Sequence, residues 1–311
     1  MKHAAPRRAA PDTRELFCPL ASDIHADVDA INAATVAWAA AIGLVDARTT
    51  ARLEASKVGS LVSRAYPSGA REPLQLAADW TTFFCLLDDV IERLDGSASV
   101  ARALGAIQSV LCHAAVADAD EPLERAAAEL AARLDRHASP EQRARFDARV
   151  GQLFEAFVVE AEARAGARPL SIAAYLWLRE VTVGIHVEAA LGEIVEELTL
   201  TSEARDAVER AGLLRSASNL VGWANDVHTY EKELRDGEVN NLVAVLVEAE
   251  SCELRDAVTQ AIAMHDAEMG SFLARSADAS AIPELSRYAL MLRRWVRGHL
   301  DWALETGRYR P

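Results

Sequence analysis

Asn225-Asp226-Val227-His228-Thr229-Tyr230-Glu231-Lys232-Glu233 contains no helix breaker, and its oxygen-bearing side chains Asn225, Thr229 and Glu233 recur at every fourth residue. That spacing predicts a helix with the three groups stacked in a ladder on one face. An amide carbonyl, a hydroxyl and a carboxylate are hard oxygen donors, a set that suits Mg²⁺ and does not suit a soft or imidazole-seeking metal. Lys232 follows Asn225 by seven residues and so takes nearly the same angular position, which directs a cation to where metal-bound anionic oxygens would lie. The combination points to a diphosphate.

A second segment supports the same chemistry. In Phe83-Phe84-Cys85-Leu86-Leu87-Asp88-Asp89-Val90-Ile91-Glu92 an apolar run ends abruptly in carboxylates, with Asp88 and Glu92 at i, i+4. Like charges at that spacing destabilise an isolated helix by a few tenths of a kcal/mol, roughly, and a divalent cation is the simplest compensation. The plain alternative is a solvated acidic helix end, which a chain with 47 Asp plus Glu could easily carry. The Asn225 ladder elsewhere in the chain weighs against it.

With these two motifs the sequence resembles the bacterial class I terpene synthases, which cyclise linear prenyl diphosphates. Two further segments carry the likeness. Tyr175-Leu176-Trp177-Leu178-Arg179-Glu180-Val181-Thr182-Val183-Gly184 is similar to the family's pyrophosphate-sensor segment, and Trp295, Gly298, Trp302 and Thr306-Gly307-Arg308-Tyr309 are similar to its last helix and Arg-Tyr pair. Tyr66-Pro67 ahead of Ala78-Asp79-Trp80 also fits, so the resemblance runs in order from about residue 16 to 309. It implies an all-α, single-domain class I terpenoid synthase bundle around a central cavity, with residues 1–15 a leader that can order over the pocket and 16–311 the catalytic domain. It implies three Mg²⁺ with the diphosphate bound, two held by Asp88 with help from Glu92, Asp89 being the less certain ligand, and one by Asn225, Thr229 and Glu233. Arg179, Lys232, Arg308 and Tyr309 become the diphosphate ligands. Gly184 also costs a helix interior up to about 1 kcal/mol relative to Ala, which hints at a local break. By position in the family Thr182 would be the linker there, and Val183 the residue whose carbonyl faces the substrate.

The resemblance further implies an apolar pocket whose aromatic faces stabilise migrating positive charge, each by about 0.5–2 kcal/mol. Phe84, Trp295 and Trp302 are the candidates, with core packing as the alternative for each. Cys85 stands where many relatives carry a second aromatic, so a thiol there could widen the cavity. His186 and His228 lie near the motifs, but a helical histidine is more often a packed side chain and neither is assigned chemistry.

Composition is in keeping with this. The chain's 51% hydrophobic residues supply a core, its 15 Gly and 10 Pro rarely interrupt it, and apolar positions recur at helical rather than strand spacing. Helices are expected near 22–43, 47–64, 70–94, 98–116, 120–136, 140–165, 170–189, 202–235, 239–248, 252–277 and 284–305, joined by short turns that suit one domain. Cys18, Cys85, Cys112 and Cys252 show no paired spacing and read as reduced core residues. No apolar run approaches a membrane helix and no signal h-region follows Arg7-Arg8, so a soluble cytoplasmic protein is expected. A net charge of −14 disfavours nucleic-acid or anionic-membrane partners and demands that an anionic substrate be met by local positive charge.

Other readings are separable. Chain-elongating and head-to-head prenyl synthases share the fold but carry a second aspartate-rich motif where this chain has the Asn-Thr-Glu ladder. A di-iron bundle needs Glu-x-x-His pairs, and none of the eight histidines has a Glu three residues before it. A non-catalytic helical scaffold would fold without diphosphate turnover. Farnesyl diphosphate and a sesquiterpene product are the default expectation, geranylgeranyl diphosphate and a diterpene the alternative, and a homodimer stays open because relatives are often dimers.

Overall fold

The computed structural model describes residues 16–113, 121–166, 170–236, 239–280 and 282–309; residues 1–15, read above as a leader, lie outside them. The described residues form fourteen helices and no strand. These are α1 (Val28–Ile42), α2 (Ala47–Ser56), α3 (Val58–Ala65), α4 (Arg71–Ile91), α5 (Ser97–His113), α6 (Pro122–His137) and α7 (Pro140–Ala165), followed by α8 (Ile172–Thr182), α9 (Ile185–Val195), α10 (Ser202–Ala211), α11 (Leu213–Asp236), α12 (Leu242–Glu250), α13 (Leu254–Ser280) and α14 (Pro283–Glu305).

Local chemistry sets many of the ends. Asp46 and Ser139 form capping boxes with Thr49 and Gln142, and Pro140 occupies the first turn of α7, where its missing N–H costs nothing. Three helices expected as continuous are each divided in two. Lys57 takes a left-handed conformation (φ 49°) and separates α2 from α3, Gly184 (φ 81°) separates α8 from α9, and Gly212 (φ 61°) closes α10. The first expected helix also begins later, at Val28. Before it the chain runs along α13 and α14 instead, where Phe17 N donates to Asp266 Oδ1 at 2.9 Å and Ser22 Oγ to Asp301 Oδ2 at 2.6 Å.

A large apolar cluster runs through most of the helices, with Trp80 of α4 near its centre, edge-on to Phe146 at 4.8 Å. A second cluster joins α8, α11, α12 and α13 around Tyr175, Trp223 and Val227. Asp79 is a buried charge: it is 2% exposed and accepts from Thr35, Gln75 and Arg133, the last at 2.7 Å, so its desolvation is offset by three donors, one of them an opposite charge. All four cysteines are free thiols. Cys112 is exposed rather than in the core, because it sits in the last turn of α5 on its solvent side.

Packing between α14 and α3 depends on a missing side chain. A Cβ at Gly298 would lie 2.9 Å from Arg64 Cβ and 3.3 Å from the Arg64 backbone carbon, so the two helices approach at nearly backbone distance. Gly298→Ala should therefore overpack this seam and cost about 1–3 kcal/mol. Thermal unfolding followed by circular dichroism should show a midpoint several degrees lower; an unchanged midpoint would mean that α14 can slide away from α3 freely.

Candidate active site

The cavity lies among α4, α7, α8, α9, α11 and α14 and holds about 160 Å³. On α4 the i, i+4 repeat places Phe84, Asp88 and Glu92 along one wall, with Cys85 beside them. Phe84 stacks on Phe157 of α7, the ring centroids 5.9 Å apart. Beyond the aromatic pair, Trp295 and Trp302 of α14 complete an apolar interior. The mouth is acidic: Asp88, Glu92, Glu160 of α7 and Glu233 of α11 all line it. Burial pushes the Asp88 carboxyl up to about 6, and Glu160 and Asp89 add like-charge repulsion, while Arg308 and Arg179 pull the other way.

Arg179 and Arg308 are each held by an acid or amide. Arg179 Nη2 donates to Asn225 Oδ1 and to Asp226 Oδ1, both at 2.8 Å. Asp226 is 1% exposed; its Oδ2 accepts from the Tyr175 hydroxyl and from Leu242 N at the start of α12. Asn241, the N-cap of α12, donates to Glu233 Oε2 at 2.9 Å and to Asp226 O at 3.0 Å. The ladder of α11 is thus braced at both ends. Thr229 between them is buried, donates to Asn225 O, and does not line the cavity.

The C-terminal segment reaches the cavity because of the left-handed turn at Lys57. That turn ends α2 and leaves carbonyls of its last turn without helical partners. Ser56 O accepts from Trp302 Nε1 and Thr306 Oγ1, both at 2.8 Å, and Ala55 O accepts from Gly307 N at 2.7 Å. So anchored, Arg308 donates to Asp89 Oδ1 at 2.9 Å and lies 3.9 Å from Asp88, and Tyr309 Oη accepts from Asn225 Nδ2 at 2.6 Å. Asp89 faces Arg308 and the far side of α4 rather than the cavity. Lys232 is half-buried and is not part of the wall; seven residues of helical rise carry it roughly 10 Å past Asn225.

At the α8–α9 break, Thr182 and Val183 line the cavity and Gly184 packs against the Phe84 ring, where a Cβ would lie 3.1 Å from Cζ. Val187 N and Glu188 N both turn back to Gly184 O, so no backbone N–H among the described residues takes the Val183 carbonyl. Several wall residues escape the motif reading, namely Glu160, Arg164, Asp226, Glu188 and His299. Asp226 was visible inside the ladder motif, and Glu188 is a carboxylate within the apolar run Ile185–Val195; both are burial signals.

Groups deeper in the site stay uncharged. Burial pushes the Cys85 thiol up to about 11 and drives His299 down to about 3, with His228 and Arg179 adding to the effect. His186, outside the cavity, is driven down to about 4 by burial. An unfolded histidine takes up its proton near about 6.5, so the stability these neutral rings confer is complete above that pH. It is lost as pH falls, by at most about 1.4 kcal/mol per unit and per ring until the folded pKa is reached. Urea unfolding between pH 7 and 4.5 should show this decline, and His299→Gln should flatten it; an unaltered slope in the variant would remove His299 as its source.

Three comparisons bear on this geometry. Residues 79–270 match the model of terpene synthase family 2, C-terminal metal binding. Among relatives, the (+)-T-muurolol synthase of Roseiflexus castenholzii, a (2E,6E)-farnesyl diphosphate cyclizing enzyme, is 29% identical over 95% of this chain and 93% of its own. The like-named enzyme of Streptomyces clavuligerus is 30% identical over 94% of this chain and 72% of its own. The fold is similar to the crystal structure of a-eudesmol synthase, with a TM-score of 0.82 over 94% of this chain and 99% of the other at 22% identity. With the family match over residues 79–270, the all-helical bundle and the acid-rimmed apolar cavity together, the chain belongs to terpene synthase family 2 and is a class I terpene synthase of the bacterial type.

Proposed function

We propose that the protein ionises farnesyl diphosphate with Mg²⁺ and cyclises the resulting cation to a sesquiterpene, within one catalytic domain spanning residues 16–311. The observation that carries this reading is the division of one cavity into an acidic mouth and an aromatic interior, with Asp88 and Phe84 a single turn apart on the same wall. The named relatives that cyclise farnesyl diphosphate support the substrate.

The donor set fits magnesium. Asp88, Glu92, Asn225, Thr229 and Glu233 offer only hard oxygens, and the raised Asp88 carboxyl marks a place where added positive charge would be stabilising. Among the described residues no three acids, histidines or cysteines stand close enough to hold an ion ready-made. Two of these groups already have protein partners: Asn225 is held by Arg179 and Tyr309, and Glu233 by Asn241. Three bound Mg²⁺ would neutralise the diphosphate and make it a competent leaving group.

The chain's own groups would do the rest. Arg179 would exchange Asn225 for a diphosphate oxygen while Asp226 keeps its guanidinium in place. Arg308 and Tyr309 would turn from Asp89 and Asn225 to the same anion, with Lys232 acting from the rim, and this charge-assisted set would draw the C-terminal segment over the mouth and exclude water. The Val183 carbonyl, free of backbone partners, would face the developing allyl cation. Below it Phe84, Phe157, Trp295 and Trp302 offer quadrupoles to migrating charge. Cys85 stays a neutral thiol and does not trap the cation as a thiolate would.

Two measurements test the reading. Purified protein incubated with Mg²⁺ and, separately, geranyl, farnesyl and geranylgeranyl diphosphate should yield a cyclic product from farnesyl diphosphate that disappears with EDTA, as read by gas chromatography–mass spectrometry. No product from folded protein would reject the synthase reading. Asn225→Ala and Glu233→Ala should each lower turnover by about a hundredfold or more, with near-native circular dichroism and melting. Full activity in either would remove that residue from the ligand set.

A further inference from the structure

The stem of Arg179 crosses α11 at Gly222. A Cβ built there would lie 3.3 Å from Arg179 Cγ and 3.5 Å from its Nε, with Val183 Cβ next at 3.6 Å. Carbon atoms pack best at about 3.5–4.0 Å, so Val183 would be an ordinary neighbour of that atom whereas the Arg179 stem would stand inside the range. Helical periodicity brings the groups together. Arg179 and Val183 are four residues apart at the end of α8, and on α11 Gly222 precedes Asp226, the acid that Arg179 reaches, by one turn.

Arg179 has no free end with which to step aside. Its Cα is fixed in α8, where Tyr175 one turn earlier donates to Asp226 Oδ2. Its guanidinium is fixed by the two bonds of 2.8 Å that Nη2 gives to Asn225 Oδ1 and Asp226 Oδ1, and its Nε is buried without a hydrogen-bond partner. The segment between these anchors is what passes over Gly222, and only 16% of the side chain is exposed. The backbone does not call for glycine at this position. Gly222 lies inside α11, and the glycines of left-handed conformation among the described residues are Gly43, Gly96, Gly184 and Gly212. A glycine inside a helix disfavours it relative to alanine. What glycine provides here is space.

We propose that Gly222 is a positioning residue for the diphosphate site: the side chain it lacks is the room in which the Arg179 stem lies, and that room sets where the guanidinium stands at the mouth of the cavity. This rests on the diphosphate role given to Arg179. Gly222 itself does not line the cavity. An added methyl group would lift the stem from α11 by a few tenths of an ångström and carry the guanidinium away from Asn225 and Asp226, the two groups that hold it. Alanine would thus favour the helix and disfavour the arginine. The two effects have opposite signs, and only the second reaches the chemistry.

Binding of inorganic diphosphate with Mg²⁺, followed by isothermal titration calorimetry in the wild type, Gly222→Ala, Arg179→Ala and the double variant, separates this role from a packing role. Gly222→Ala should weaken binding by about fivefold or more and lower farnesyl diphosphate turnover by about tenfold or more, since a misplacement of about 1 Å can cost about a hundredfold. Arg179→Ala has no stem to displace, so adding Gly222→Ala to it should change affinity and turnover by less than about twofold. Wild-type affinity in Gly222→Ala would overturn the proposal. An equal loss on adding Gly222→Ala to either background would overturn it too, because the methyl group would then act through α11 itself. If Gly222→Ala alone does not fold, the double variant decides: recovery of a cooperative melt upholds the clash with the arginine, and its continued absence overturns it. All these outcomes leave the synthase reading standing wherever Arg179→Ala weakens binding. Wild-type affinity in Arg179→Ala would instead remove Arg179 from the diphosphate ligands, and the role of Gly222 with it.

Discussion

The buried Asp226 carboxylate is the constraint on which the site depends. A carboxylate taken out of water is tolerated only when its lone pairs are met, and here donors come from two other helices: Tyr175 and Arg179 of α8, and the first N–H of α12. Satisfying it fixes where α8 and α12 lie against α11. Arg179 then falls beside Asn225, and Asn241 falls between Asp226 and Glu233. The oxygen ladder is therefore positioned by a residue adjacent to one of its rungs that takes no place on it.

A second organising principle is the sorting of charge by depth. The chain carries a net charge of −14, and Asp88, Glu92, Glu160 and Glu233 line the mouth, where the basic groups Arg179, Arg308 and Arg164 also lie. Deeper in, burial favours the neutral form of four side chains: Cys85, Glu188 and Tyr309 are raised and His299 is lowered. Unit charges would be strongest in the low-dielectric interior, where they would also pin a migrating cation to one position. Dipoles and ring quadrupoles guide it more weakly and leave it free to move on.

Much of this was legible in the sequence. Helical content and the acids one turn beyond Phe84 follow from spacing alone, since side chains four apart share a face in any helix. The break at Gly184 was signalled by a glycine inside a helical pattern. That at Lys57 was not, because a lysine in the left-handed region is stabilised by what the broken helix then offers: the Ala55 and Ser56 carbonyls that anchor the C-terminal segment. The same limit explains Lys232 and Asp89. Angular position on a helix is set by residue number, whereas distance from the cavity and the identity of the facing partner are set by tertiary packing. Glu188 shows the limit from another side, for a carboxyl in an apolar run announces burial, yet the hydroxyl that donates to it, Thr81, lies on another helix.

The contact between Gly184 and the Phe84 ring ties together two positions far apart in sequence. The left-handed turn needs glycine at one, and the absent side chain makes room for the ring at the other. A side chain at 184 would therefore meet two separate obstacles, the Phe84 ring and a backbone φ of 81° that stays strained for any L side chain even when the ring is trimmed. Laboratory evolution aimed at new terpene skeletons would vary Phe84 and keep Gly184.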